Sequence, residues 1–285
     1  LCYDSRKSAP GEAFVAIRGF QTDGHKYIAQ AAEAGAALVI CETPPEISVP
    51  YVLVRDSRLA LAQMSDNFFG HPARGMKVIG VTGTNGKTTT TMLVKAILEE
   101  STGATVGLMG TNANYIGQKE LPAQRTTPES YEVFRLLSEM KQAGCQYVVM
   151  EVSSQGMKQK RVYGIPFFIG VFTNLGEDHV GPGEHTSFNE YRYYKSRLFK
   201  VCRVGIGNLD DIQTGYMFRR TRCEKYGYTC QMEKKEAGIY GDSHILCGEN
   251  IQLLMEDGIP VTHFTVKGIS VCLQQPGRFN VYNAL

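Results

Sequence analysis

Val78-Ile79-Gly80-Val81-Thr82-Gly83-Thr84-Asn85-Gly86-Lys87-Thr88-Thr89 is the stretch that decides the fold. A short apolar run passes into a glycine-rich turn, and a helical pattern then runs from Lys87 to about Glu100. Glycines at such a junction let backbone N–H groups turn toward phosphate oxygens, and the helix N-terminus adds partial positive charge. Gly83, Thr84, Asn85, Gly86, Lys87, Thr88 and Thr89 are therefore candidate nucleotide-binding residues, with Lys87 reaching the terminal phosphates and Thr88 a ligand for Mg²⁺. The strict phosphate-loop pattern wants glycine where this chain has Val81, so the loop is a shortened G-x-x-G-K-T. Thr88-Thr89-Thr90-Thr91 are weak helix formers and read better as hydroxyls lining an anion site. ATP or GTP is the expected ligand.

Outward from this turn, apolar runs at 105–109, 147–152 and 169–172 alternate with helical segments such as Glu129–Ala143. Uninterrupted apolar strands between helices predict a mostly parallel sheet covered on both faces, with ligands bound beyond the carboxyl ends of the strands. Upstream, the Gly70-His71-Pro72-Ala73-Arg74-Gly75 stretch reads as a connection. Before it, Phe14–Ile17, Ala37–Ile40 and Tyr51–Val54 read as strands, with helices over Lys26–Ala34 and about 58–69. The expected architecture is α/β in two parts, a small unit over 1–75 and a larger nucleotide-binding unit over 76–285. Residues 220–285 carry shorter alternating segments (251–255, 262–266, 269–273), which predict antiparallel strands at a sheet edge.

Composition narrows the function classes. The 285 residues are 43% hydrophobic, 20% charged and 10% aromatic, with no Trp, which excludes a disordered or fibrous chain. Thirty basic against 28 acidic residues give a net charge of +2, which argues against a polybasic nucleic-acid binder but leaves room for a local cationic cleft. No run approaches the ~20 apolar residues of a membrane span, and no signal peptide is visible. The eight cysteines form no C-x-x-C pair, so reduced thiols in a cytoplasmic protein are expected.

Three further positions carry candidate chemistry. Glu151 ends the strand Tyr147-Val148-Val149-Met150, where a carboxylate can hold Mg²⁺. Asp178-His179 follows the strand Phe172-Thr173-Asn174-Leu175 on the same sheet edge. Lys195 lies in a helical segment, Phe188–Phe199, and borders its apolar stripe of Phe188, Tyr191, Tyr194, Leu198 and Phe199. It reads either as a solvated lysine whose stem snorkels or as a neutral amine able to take up CO₂ and become a carbamate.

Together these motifs resemble the Mur ligase family, the enzymes that build the peptide stem of peptidoglycan, over nearly the whole chain. Asp4-Ser5-Arg6, Phe14-Val15-Ala16 and Asp23-Gly24-His25 are similar to its UDP-sugar-binding N-terminal domain. Gly83–Thr89, Thr126-Thr127-Pro128, Glu151-Val152-Ser153-Ser154, Phe172–Leu175 with Asp178-His179, and Phe279–Leu285 are similar to its central ATPase domain. The resemblance implies an ATP-dependent amide ligase that adds a diamino acid, meso-diaminopimelate or L-lysine, to UDP-N-acetylmuramoyl-L-Ala-D-Glu through an acyl phosphate. It implies catalytic roles for Lys87, Lys195 and His179, and Mg²⁺ held by Thr88, Glu151, His179 and Lys195 as its carbamate. Asn280 and Asn283 would meet adenine. Tyr3, Ser5, Phe20, Gln21 and Thr22 would meet the uridine side, and Thr126, Thr127, Ser153, Gln159 and Arg161 the sugar and peptide. Arg125 and Arg161 are candidates for a cationic cleft. A monomer with no nucleic-acid partner is expected.

The chain departs from the family pattern at Gln155, where histidine is usual, at Arg125, where asparagine is common, and through Asp178–His185. Both ends read as cut, which implies two domains of a three-domain enzyme, able to bind nucleotide but ligating poorly alone. The rival readings are the family branch that adds D-Ala-D-Ala, and a non-catalytic nucleotide-binding module. Glu151-Val152-Ser153-Ser154 favours the tripeptide-forming branch, since the D-Ala-D-Ala branch typically carries Glu-Met-Gly there. Folate polyglutamylating ligases share the central domain but lack the UDP-binding N-terminus.

Overall fold

A computed structural model describes residues 1–19, 22–177, 181, 185–231 and 244–285. Phe20, Gln21, Asp178 and His179, expected at the site, lie outside the described residues. The small unit runs β1 (Ala13–Val15), α1 (Ile28–Glu33), β2 (Leu38–Cys41), β3 (Tyr51–Leu53) and α2 (Ser57–Phe68). Its three strands form a parallel sheet in that order. Alternation along the strands divides them between two faces. Phe14, Val39 and Cys41 pack on Ile28 and Ala31 of α1, while Val15 and Ile40 pack on Leu61 of α2. The helix expected from Lys26 begins instead as a 3₁₀ turn, Gly24–Tyr27, with Asp23 accepting from the His25 N–H.

The large unit continues with β4 (Lys77–Thr82), α3 (Lys87–Thr102), β5 (Val106–Met109), β6 (Ala113–Ile116), β7 (Lys119–Pro122), α4 (Ser130–Gln142) and β8 (Tyr147–Glu151). There follow α5 (Ser154–Lys158), β9 (Phe167–Phe172), α6 (Phe188–Ser196), β10 (Cys202–Asn208), α7 (Thr214–Met217) and β11 (Glu224–Thr229). The described chain closes with β12 (Ile245–Glu256), β13 (Ile259–Val266), β14 (Ile269–Leu273) and α8 (Arg278–Ala284). The strands join one 11-stranded sheet in the order β14-β13-β12-β11-β10-β9-β4-β8-β5-β6-β7. From β12 to β5 every pairing is parallel, as the apolar runs predict.

The core follows from two-sided burial. On β4, Val78 faces a cluster built on Val133, Phe134, Leu137 and Met140 of α4, while Ile79 and Val81 face Val94 and Leu98 of α3. A strand covered on both faces cannot alternate with polar residues, hence its continuous apolar run. β4 lies between β8, reached on one side of the sheet, and β9 on the other, so the chain switches direction across the sheet at its edge with β9. The crevice beyond such a switch point is where parallel sheets bind ligands.

The antiparallel sheet edge expected from segments 251–255, 262–266 and 269–273 is present as β12, β13 and β14. Within 220–285, however, β11 and the start of β12, Ile245–Cys247, extend the parallel sheet. From Gly248 onward β12 pairs antiparallel with β13, and β13 with β14, with a register shift between Glu249 and Gln252. One long strand, β12, thus serves both the parallel and the antiparallel part of the sheet.

Candidate functional site

The turn after β4 is shaped by what it touches. A Cβ at Gly83 would collide with the Thr173 hydroxyl at the end of β9, so only glycine fits. Gly86 adopts φ +84° against the Asn283 side chain, a conformation and a space that exclude larger residues. The β9 end braces the turn: Thr84 N–H donates to Asn174 O at 2.8 Å, Asn85 N–H to Asn174 Oδ1 at 2.9 Å, and Thr173 Oγ1 to Asn85 O at 2.6 Å. Thr84 Oγ1 meets the Tyr191 hydroxyl at 3.0 Å. No side chain caps α3, and its first internal bond is Thr90 N–H to Gly86 O, so the amides of Lys87, Thr88 and Thr89 belong to an uncapped helix start.

Two lysines converge on one carbonyl. Lys87 Nζ donates to Gly83 O at 2.9 Å and Thr84 O at 2.8 Å, and Lys195 Nζ donates to the same Gly83 O at 2.7 Å. Lys195 is 2% exposed and sits 4.6 Å from the Tyr191 ring centroid, so the reading of a solvated, snorkelling lysine is overturned. The stripe it borders turns inward with Tyr191, fully buried with its hydroxyl on Thr84, and Lys195 follows one turn later on the same helix. Burial holds the Lys195 ammonium well below its ordinary pKa, and the charge of Lys87 adds to the effect. Burial lowers Lys87 too, with the Glu151 carboxylate acting the other way.

Beside these amines lies a carboxylate–hydroxyl pair. Fully buried Glu151, at the end of β8, accepts from Thr88 Oγ1 at 3.0 Å, Thr111 N–H at 2.8 Å and Thr111 Oγ1 at 3.0 Å. The hard oxygens of Thr88 and Glu151 are the donor set a Mg²⁺ ion prefers, on the rim of a hollow of about 70 Å³ shared with Leu108, Gly110 and Tyr115. Of the four threonines, only Thr88 and Thr89 reach the surface. Thr90 and Thr91 are buried, and Thr91 bonds back to Thr88 O, so the expectation that all four line an anion site is corrected.

On the other side of the turn is a cleft of about 510 Å³, bordered by Gly86, Asn174, Asp210, Asp211, Tyr282 and Asn283 among others. Asn283 lines it. Asn280 does not, but is buried behind it and accepts from Asn283 Nδ2 at 3.2 Å. Asn174 lies in the Phe172–Leu175 strand end already singled out, whereas Asp210 and Asp211 escape the sequence reading. Their signal is position: Asn208-Leu209-Asp210-Asp211 closes β10, a strand that reading does not identify.

The residues assigned to substrate fall in two groups. Thr127 Oγ1 donates to Glu151 O at 2.9 Å and meets Ser153 Oγ at 3.1 Å, and Thr126 accepts from Thr111 at 3.0 Å. Ser153 caps α5. Arg161 donates to Thr127 O at 2.9 Å and Gln159 Oε1 at 2.6 Å, so Thr126, Thr127, Ser153, Gln159 and Arg161 are gathered around the end of β8. Of the uridine-side group, Ser5 bonds Gln30 and Thr22 bonds Tyr27, both within the small unit. Tyr3 instead donates to Glu132 of α4 at 2.9 Å and ties the two units together.

A glycine-rich strand-to-helix turn at the switch point of a large parallel sheet, with a small parallel unit docked on α4, defines an α/β protein of the mononucleotide-binding kind. The chain belongs to the Mur ligase family: residues 1–69 match "Mur ligase family, catalytic domain" and residues 81–285 match "Mur ligase middle domain". It is 41% identical over 288 aligned residues to a UDP-N-acetylmuramoyl-L-alanyl-D-glutamate–2,6-diaminopimelate ligase of Clostridium botulinum, covering 99% of this chain and 57% of that protein. The namesake ligase of Clostridium perfringens is 39% identical, with the same coverage. A solved structure of a ligase of that name superposes with a TM-score of 0.76 at 25% identity, over 99% of this chain and 57% of that one. The chain thus spans a little over half the length of the relatives it matches.

Proposed function

We propose that the protein containing this chain is an ATP-dependent ligase that joins a diamino acid to UDP-N-acetylmuramoyl-L-Ala-D-Glu. The reading rests on one observation above all: Lys87 and Lys195 meet at Gly83 O, beside the Thr88–Glu151 pair. The relatives' names favour 2,6-diaminopimelate over L-lysine as the added amino acid. Residues 1–75 would take the UDP-sugar and 76–285 the ATP, in a monomeric protein working in the cytoplasm, where both precursors are found. Among the described residues no helix is long and apolar enough to cross a membrane.

In this reaction a substrate carboxylate oxygen attacks the γ-phosphorus, ADP leaves, and the amine then displaces phosphate from the acyl carbon. Two anions must approach one another, so positioning and charge neutralisation matter most. Lys87 and the uncapped start of α3 hold the phosphates, and Gly83 and Gly86 let the backbone come close. Thr126, Thr127, Ser153, Gln159 and Arg161 orient the acceptor, and Asn283, backed by Asn280, borders the nucleoside cleft. Thr88 and Glu151 would hold one Mg²⁺, and His179 with carbamylated Lys195 a second; these ions supply neutralisation of the phosphate charge. Carbamylation needs an unprotonated amine, and the buried, depressed Lys195 fits that need.

The test is amide formation by the full-length protein. ADP release that requires both the UDP-muramoyl-dipeptide and the diamino acid is expected. Hydrolysis indifferent to both would favour a nucleotide-binding module instead. Lys195→Ala should abolish turnover and recover in part with added short-chain carboxylates; full activity without rescue would remove the carbamate.

A further inference from the structure

The start of α4 holds a charge arrangement that none of these roles explains. Glu129, the residue before the helix, is 6% exposed, yet its side chain does not cap the helix. Its carboxylate gathers three guanidiniums: Arg161 at 2.8 Å and Arg125 at 3.0 Å on Oε1, and Arg58 at 3.0 Å on Oε2. They come from three places, the segment after α5, the segment before Thr126-Thr127, and α2 of the small unit. Arg58 also donates to Arg18 O at 2.9 Å, so its guanidinium is fixed within the small unit while it reaches into the large one.

With the Glu132 carboxylate close enough to act on Glu129, two carboxylates face three guanidiniums and one positive charge is left over in the cluster. Such an excess at a partly buried junction favours an anion, and planar guanidiniums match carboxylate or phosphate oxygens when their orientation is set. Arg161 is locked by Glu129, Thr127 O and Gln159, whereas Arg125 is 55% exposed and tethered through Glu129. We propose that Glu129 is a positioning residue. It aims Arg161 and Arg125 at an anionic group of the UDP-linked dipeptide, and through Arg58 it fixes that pair relative to the small unit, so both units grip one substrate. This inference rests on the function proposed above.

Net charge and positioning predict opposite outcomes for Glu129→Gln. Removing a negative charge should tighten anion binding if charge alone matters, whereas loss of aim should weaken it. In the full-length protein, Glu129→Gln should raise KM for UDP-N-acetylmuramoyl-L-Ala-D-Glu by about tenfold or more, a typical cost of misplacing a binding group. KM for ATP should stay within about twofold, and Arg58→Gln added to Glu129→Gln should cost nothing further, as expected of groups in one network. Weaker binding of the dipeptide but not of UDP-N-acetylmuramoyl-L-Ala would place the glutamate carboxylates on the cluster; weakening of both would place the diphosphate there. If Glu129→Gln does not fold, Arg58→Gln should show the same KM split and Arg58→Lys should restore part of it. An unchanged or lowered KM for the dipeptide, or an equal rise for ATP, overturns the inference while leaving the ligase reading intact. A wild-type protein that forms no amide overturns that reading and the inference with it.

Discussion

Lys195 and Gly83 show how much stability depends on single residues at and against this turn. Between the depressed pKa of Lys195 and its ordinary 10.5, the unfolded chain binds more protons at this side chain than the folded chain does. The lysine's contribution to stability therefore rises with pH across that window and is at its worst below it. Lys195→Met should accordingly raise the melting temperature near neutrality, by an amount that shrinks as the pH approaches 10.5, while ending turnover. A melting curve whose gain is independent of pH would count against this account. Gly83→Ala places a methyl where the Thr173 hydroxyl lies. It should cost about 1–3 kcal/mol, as overpacking does, and remove nucleotide binding, both measurable by urea denaturation with and without ATP. The glycines and Lys87 are legible in the sequence because their chemistry is local. The burial of Lys195 is not, because it depends on which face of α6 turns inward when the helix docks.

At the scale of elements, α4 carries much of the core on one face of the sheet. Phe134 and Leu137 are fully buried there. Phe134→Ala should destabilise the chain by about 3–5 kcal/mol in equilibrium denaturation. Loss of less than about 1 kcal/mol would mean that the helix packs elsewhere. The strands β4, β8 and β9 and the helices α3 and α4 are all readable from their patterns. β10 is not, because Cys202-Arg203-Val204-Gly205-Ile206-Gly207-Asn208 carries two glycines, which ordinarily weaken a strand. The structure explains them: a Cβ at either would lie 2.7 Å from the Phe218 ring. Missing β10 meant missing Asp210 and Asp211, whose place at the cleft follows from its carboxyl end. The hairpin β6–β7 escapes for another reason. It is short and mostly polar at its outer strand, so no alternation marks it.

Across the whole molecule, the small and large units meet through polar ties as well as packing. Tyr3 bonds Glu132, Arg58 pairs with Glu129 and Lys160 pairs with Asp56. Burial raises the Glu132 carboxyl, and the Tyr3 hydroxyl offsets part of that rise. Tyr3→Phe should remove the offset, moving the Glu132 pKa further up; a carboxyl titration followed by NMR would show it, and an unmoved value would refute the tie. A ligand bound only by the folded chain stabilises it by mass action. Mg·ATP at about 100 times its Kd should therefore add about 2.7 kcal/mol to the unfolding free energy. The same addition should do nothing for Gly83→Ala, and an equal gain there would mean that ATP binds elsewhere.

Local chemistry in the sequence determined the parallel α/β class, the glycine turn with its lysine, and the likeness to the Mur ligases. Each of these depends on neighbours along the chain or on the period of apolar residues. Tertiary structure alone decided that Lys195 is buried against Gly83 O, that Tyr3 reaches Glu132, and that three arginines share Glu129. Those contacts join residues as far apart as 112, 129 and 71 positions. No pattern in a linear chain encodes such separations, because burial and charge pairing are set by how whole elements dock.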